Sequence, residues 1–153
     1  MTTTVRPLTG DDHDAWHRLW DGYCAFYKTN MPPEVTASTW QRLLDERETT
    51  VFGLVAERDG EVIGIANCIL HGTTWGIAPR CYLNDLFVDP AARGSGAGKA
   101  LIRRLQAMGA EQGWDRIHWL TAENNATARR LYDQFAPASG FIQYAILPEA
   151  DNA

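Results

Sequence analysis

The residues best placed to do chemistry are Arg93-Gly94-Ser95-Gly96-Ala97-Gly98. An apolar run, Leu86-Phe87-Val88, precedes them and is ended by Asp89-Pro90, since proline cannot continue a ladder. A helical pattern follows, with Ala97, Leu101, Ile102 and Leu105 along one side. Strand, glycine turn and helix start together aim unpaired backbone N–H groups at an anion. The spacing excludes two common phosphate loops. A nucleotide P-loop needs Gly six residues before Lys99 and Ser or Thr after it, and those positions hold Arg93 and Ala100. A dinucleotide fingerprint needs a third glycine where Lys99 or Leu101 stands. What remains is Arg-x-x-Gly-x-Gly at Arg93, Gly96 and Gly98, with a plain glycine-rich surface turn as the other reading.

Other reactive side chains form no familiar constellation. Cys24, Cys68 and Cys81 are odd in number and lack CxxC spacing, which reads as free thiols in a reducing compartment. His13 and His17 are four apart on a helix pattern, but no HExxH and no third ligand accompanies them, so no metal is expected. No Cys–His or Ser–His–Asp arrangement suggests a covalent intermediate.

The elements that must position the turn are legible around it. Thr3–Leu8 reads as a strand, and Asp11, Asp12 and Asp14 as the start of a helix to about Tyr27, with Trp16, Leu19, Trp20, Tyr23 and Phe26/Tyr27 inward. Asn30–Val35, with Pro32-Pro33, reads as a loop, and Thr36 or Ser38 as the cap of a helix through Glu46. Val51–Glu57 and Glu61–Leu70 are strands joined by an Asp59-Gly60 turn. His71–Arg80, containing Trp75, is an irregular excursion before the strand Cys81–Val88. After the glycine turn a helix runs towards Gly113, with Gly109 marking a fraying end. Then come a strand Arg116–Thr121, a helix Ala126–Phe135 and a last strand Gly140–Leu147. This order predicts an α/β fold, a mixed central sheet with helices on both faces, in one domain spanning 1–153.

Composition narrows the partners. The 153 residues are 45% hydrophobic and 22% charged, with a net charge of −5 and no dense Lys/Arg tract. Nucleic acid as main partner is therefore not expected, whereas a cationic substrate suits the field. The N-terminus MTTTVRPLT has no apolar h-region and no run approaches membrane-spanning length, so the expectation is a soluble, cytoplasmic protein with no membrane partner.

With the glycine turn, Trp16–Tyr27, Val55-Ala56-Glu57, Gly64, the segment CYLNDLFVDPAARGSGAGKALI and the segment WLTAENNATARRLYDQFA with Gly140-Phe141, nearly the whole chain resembles the GNAT superfamily of N-acetyltransferases. Within it the chain is most similar to the Hpa2-like histone and polyamine acetyltransferase branch, near the diamine acetyltransferases. The resemblance implies acetyl-CoA as cosubstrate, its pyrophosphate held by the amides of Gly94, Ser95, Gly96, Ala97 and Gly98, and its pantetheine arm paired with backbone released by a bulge, at Leu86, Phe87 and Val88. Arg93, Lys99 and Arg129 become candidates for coenzyme phosphates, and Asn125 for the pantetheine arm, although each also has a plain reading as a turn brace, a solvated helix charge or an N-cap.

For catalysis the resemblance implies Tyr132 as general acid to the leaving thiolate, a role a phenol can fill because it is protonated at neutral pH. Diamine acetyltransferases read Tyr-Leu-Glu-Asp in the strand before the turn; here Tyr82-Leu83-Asn84-Asp85 stands there, and an amide cannot serve as base. Asn84 is expected to orient a water, and Asp85 is either a substitute base and cation anchor or a structural carboxylate. Strict alternation puts the two on opposite faces unless a bulge rotates them. The implied reaction is direct acetyl transfer in a ternary complex to a small primary amine, polyamines first. A basic protein tail, as in lysine or histone-tail acetylation, is the alternative acceptor, and a non-catalytic CoA-binding sensor the alternative class. The resemblance also implies a homodimer formed through Phe141–Leu147.

Overall fold

The computed structural model describes residues 2–149, in two compact units, one up to Leu120 and the other from Thr121. The first unit contains strands β1 (Thr4–Pro7), β2 (Val51–Arg58), β3 (Glu61–His71), β4 (Arg80–Val88) and β5 (Ile117–His118), and helices α1 (His13–Phe26), α2 (Pro33–Leu44) and α3 (Ala97–Gln112). The strands form one sheet in the order β1-β2-β3-β4-β5. Neighbours are antiparallel except β4 and β5, which are parallel and joined across α3, as a parallel pair requires. The sheet is therefore mixed, as expected. The β2–β3 turn forms at Asp59-Gly60, whose φ values of 54° and 77° match the twist of the flanking strands.

Helices cover both faces. Trp16, Leu19, Trp20 and Cys24 of α1 pack with Leu43 of α2 on Val55, Val62 and Ile65. Trp16 and Trp20 stack at 5.3 Å. On the opposite face Gly64 and Ala56 lie under Leu101 of α3. Leu101 and Leu105 are fully buried, and each such side chain contributes about 1.5–3 kcal/mol of burial.

Several sequence expectations are corrected. The aromatic stripe of α1 turns outward at its end: Phe26 and Tyr27 are exposed. Helix α2 starts at Pro33, because proline at the first helical position lacks only an N–H that would be unpaired anyway. Thr36 is then interior, and its Oγ1 accepts the Trp20 indole N–H at 2.9 Å. Gly109 is a packing site rather than a frayed end, since a Cβ there would meet the Trp114 ring at 3.1 Å. Strand β5 keeps only Ile117 and His118 of the expected Arg116–Thr121, pairing with Cys81 and Tyr82 before β4 bends.

The second unit holds α4 (Ala126–Tyr132), where Asn125 Oδ1 caps the helix by accepting from Ala128 N at 3.3 Å. The expected strand Gly140–Leu147 does not form among the described residues, and Phe141, Ile142, Tyr144, Ile146 and Leu147 are exposed. Alternation marks a segment able to pair, but a strand exists only with a ladder partner.

Candidate active site

The glycine turn begins where β4 ends. Asp89 Oδ1 accepts Ala91 N at 2.9 Å, closing a single helical turn over Pro90–Ala92, while Asp89 Oδ2 accepts Arg18 Nη1 from α1 at 2.7 Å. The Ala91 amide first, and Arg18 second, hold the Asp89 carboxyl below the usual carboxylate range. Gly94 and Gly96 both have φ of 82°, a conformation that favours glycine, and Gly96 is the cap residue of α3. A Cβ at either position would meet no protein atom within 4 Å. The first N–H groups of α3 have no partner inside the helix, as at any helix start. Open space and αL backbone at Gly94 and Gly96 fit a pyrophosphate approaching the turn, while the Ser95 N–H donates to the Ala92 carbonyl at 3.1 Å and the Ala97 N–H to Ser95 Oγ at 3.3 Å, so those two amides meet a ligand only by giving up these contacts. Arg93 is exposed at the turn, and Lys99 lies on the first turn of α3.

One strand earlier the ladder slips. Asn67 pairs with Asp85 and Cys68 with Leu83, so Asn84 is the extra residue of a β-bulge. The bulge overrides alternation: Asn84 Nδ2 reaches Asp85 Oδ1 at 2.9 Å. Beyond the bulge Leu86, Phe87 and Val88 pair with Ala66, Ile65 and Gly64 on the β3 side. On the other side β5 pairs no further than Tyr82, which leaves the Leu86–Val88 edge without a strand partner among the described residues. Such an edge offers backbone donors and acceptors to an extended ligand.

Asp85 is 7% exposed and its carboxylate is heavily engaged. Oδ2 accepts from Asn67 Nδ2 at 3.1 Å, and Asn67 Oδ1 accepts the Trp16 indole N–H at 3.1 Å. Tyr23 faces the same carboxylate: burial first, then the charge and hydrogen bonding of Asp85, push its hydroxyl pKa well up. Burial and then Asp85 raise Tyr82 as well. The result is a buried carboxylate bonded by two side-chain amides and facing Tyr23. Asn67, Trp16 and Tyr23 were not singled out as site residues from the sequence. The usable signal was Asn67 itself, a lone amide inside the apolar run Val62–Leu70.

Beside this lies a groove of about 480 Å³ walled by Arg18, Gly22 and Phe26 of α1, Phe87 of β4, and Asp89 and Arg93 of the turn. Gly22 sits close under Phe87 there: a Cβ would stand 2.9 Å from Phe87 Cε2, so the ring would have to shift. Asp21 lines a separate hollow of about 510 Å³ near Asn30–Pro33. The three cysteines are free and buried; hydrogen bonding with Cys81 and burial raise the Cys68 thiol, and burial raises Cys24, which makes both poor nucleophiles.

In the second unit Tyr132 is the last residue of α4 and is half-buried. Arg129 donates from Nη1 to the Glu123 carbonyl at 2.7 Å, so part of its guanidinium braces the loop before α4. Asn125 is the N-cap already described, with its amide nitrogen not needed for that role.

A five-stranded mixed sheet, a bulged fourth strand and a glycine turn opening α3 define an acyltransferase architecture, and a family model agrees. Residues 13–136 match the Acetyltransferase (GNAT) family, and the chain belongs to that family of N-acetyltransferases, whose members use acetyl-CoA. Among curated relatives it is 34% identical over 142 residues to the D-amino-acid N-acetyltransferase HPA3 of Saccharomyces cerevisiae, covering 92% of this chain and 88% of the relative. It is 30% identical over 146 residues to the uncharacterized N-acetyltransferase YhfO of Bacillus subtilis, covering 93% and 95%. Similar solved folds include the aminoglycoside acetyltransferase AAC(6')-Iy with a bisubstrate analogue, with a TM-score of 0.82 at 17% identity over 98% of this chain and all of that one. Another is an aminoglycoside acetyltransferase from an uncultured soil metagenomic sample with sisomicin, with a TM-score of 0.79 at 17% identity over 96% and 97%.

Proposed function

We propose that the protein transfers acetyl from acetyl-CoA directly to a primary amine of a small cationic substrate, polyamine-like in the first instance. The observation that carries this reading is the buried Asp85 carboxylate, held by Asn67 and Asn84 and roofed by Tyr23. Acetyl-CoA supplies the activated acetyl group as a thioester. The glycine turn binds its pyrophosphate, with Arg93, Lys99 and Arg129 as further phosphate partners and Asn125 as a partner of the pantetheine arm. Asp85 anchors the ammonium of the acceptor and receives its proton, with Asn84 orienting a water between them. Tyr132 gives its hydroxyl proton to the leaving thiolate. No covalent enzyme intermediate is needed, which agrees with the burial of all three cysteines and with the raised thiols of Cys24 and Cys68.

The same reading takes the enzyme to be cytoplasmic, in keeping with three unpaired cysteines, and a homodimer through the exposed apolar residues of Phe141–Leu147. A second acceptor class, amino acids, is favoured by the relative named as a D-amino-acid N-acetyltransferase and by Arg18 and Arg93 in the groove, which can meet a carboxylate. The test is the pH profile of kcat/KM with a diamine, for wild type and Asp85→Asn, beside a panel of polyamines, D- and L-amino acids, aminoglycosides and histone peptides. Asp85→Asn is expected to lower kcat/KM most at low pH, where the amine is least often neutral. Superimposable profiles in a folded variant remove Asp85 from the reaction.

A further inference from the structure

Trp16, Asn67 and Asp85 form one chain of hydrogen bonds across three elements. The indole N–H of α1 donates to Asn67 Oδ1 on β3 at 3.1 Å, and Asn67 Nδ2 donates to Asp85 Oδ2 on β4 at 3.1 Å. Trp16, Asn67 and Asp85 are 1%, 4% and 7% exposed, so water does not substitute readily for any link. Asn67 has one acceptor end and one donor end, and both are used in opposite directions. The indole therefore decides which way the amide points. It presents the NH₂ group to the carboxylate and leaves the amide oxygen turned away. Asn67 also pairs with Asp85 across the ladder, immediately beside the register shift at Asn84.

We infer that Trp16 and Asn67 are positioning residues for acetyl transfer: together with Asn84 on Oδ1, they fix the orientation of the Asp85 carboxylate that anchors the amine of the acceptor. This rests on the reading of Asp85 as the amine's anchor. The chain also couples α1, which walls the groove of about 480 Å³ through Arg18, Gly22 and Phe26, to the strand that carries the anchor. A change in the seat of α1 is thereby transmitted to the carboxylate by a directed contact rather than by packing alone.

The experiment is a double-mutant cycle between Trp16→Phe and Asp85→Asn, read as kcat/KM for a diamine and as the dissociation constant of acetyl-CoA. Trp16→Phe keeps an aromatic ring in the core and removes the donor together with part of the indole volume, and the packing part of its effect is read from the same change on the Asp85→Asn background. It is expected to lower kcat/KM for the diamine about 5- to 20-fold while coenzyme binding stays within about 2-fold of wild type. On the Asp85→Asn background the same change is expected to have an effect of less than about 2-fold, because no charged anchor is left to orient. Asn67→Leu, which keeps the branched heavy-atom skeleton and removes the amide, reports the same link in the same cycle if Trp16→Phe does not fold. Additive losses would mean that Trp16 acts through packing, and would overturn the inference while leaving Asp85 as anchor. A silent Asp85→Asn would overturn the anchor reading itself, and the positioning role with it.

Discussion

Gly22→Ala tests the packing of α1 against β4 and, with it, the proposal that the groove they wall serves the amine acceptor. Gly22 lies in the interior of α1, where alanine is favoured over glycine by about 1 kcal/mol of helix propensity. The added Cβ would stand 2.9 Å from Cε2 and 3.0 Å from Cζ of Phe87. Carbon atoms rest about 3.5–4.0 Å apart, so the ring must withdraw by roughly 0.5–1 Å. In a closed core that overpacking costs about 1–3 kcal/mol. Phe87 is only partly buried and borders an open groove of about 480 Å³, so the ring has room to turn into it. The two effects on stability then nearly cancel, and the melting temperature should move by no more than about 3 °C. The cost appears in function, because the displaced ring narrows the groove: kcat/KM for the amine should fall about 3- to 10-fold, since small misplacements near reacting groups are expensive in rate. Thermal melts beside steady-state kinetics give both numbers. A melting temperature raised by the full propensity gain with unchanged kinetics would show that Phe87 is not pressed against α1, and would refute the packing argument.

Gly96→Val should leave the protein folded and somewhat less stable, because φ of 82° strains a branched residue, while weakening acetyl-CoA binding at least about 10-fold in a calorimetric titration. Tyr132→Phe should retain coenzyme binding and lose roughly 10²–10⁴-fold in single-turnover rate, and an unchanged rate would assign the proton to another donor. Asp12 is clamped by Arg6 at 2.8 and 2.9 Å and by Thr9 N at 2.8 Å, with Arg6 first and the Thr9 amide also holding its carboxyl below the ordinary value. Its folded pKa lies below its unfolded one, so its stabilisation is complete above about pH 4 and is lost as the pH falls through the folded value. Asp12→Asn should cost about 1–2 kcal/mol at pH 7, with the gap in melting temperature to wild type closing in acid.

Local and periodic information in the chain was enough for the parts of this protein that depend on near neighbours. The Asp59-Gly60 turn, the apolar stripes of α1 and α3, the αL cap at Gly113 and the glycine turn at Gly94–Gly98 each rest on residues within one or two turns of one another. Backbone freedom and side-chain period act over that range, so type and spacing suffice. The open αL backbone of the glycine turn was legible for the same reason, and Asn84 and Asp85 stood out by type, but the hydrogen-bond chain around Asp85 was not legible. Trp16 and Asn67 are 51 residues apart and Asn67 and Asp85 are 18 apart, and nothing local to any of them states that they meet. Their meeting depends on the β3–β4 register and on the extra residue at Asn84, and register is a property of two strands rather than one. Gly22 likewise has no local reason to be glycine inside a helix; the reason is Phe87, 65 residues further along the chain, packed against it. The shortened β5 and the unpaired Gly140–Leu147 segment follow the same rule: alternation makes a residue run able to pair, and only the folded sheet decides where an open edge exists for it.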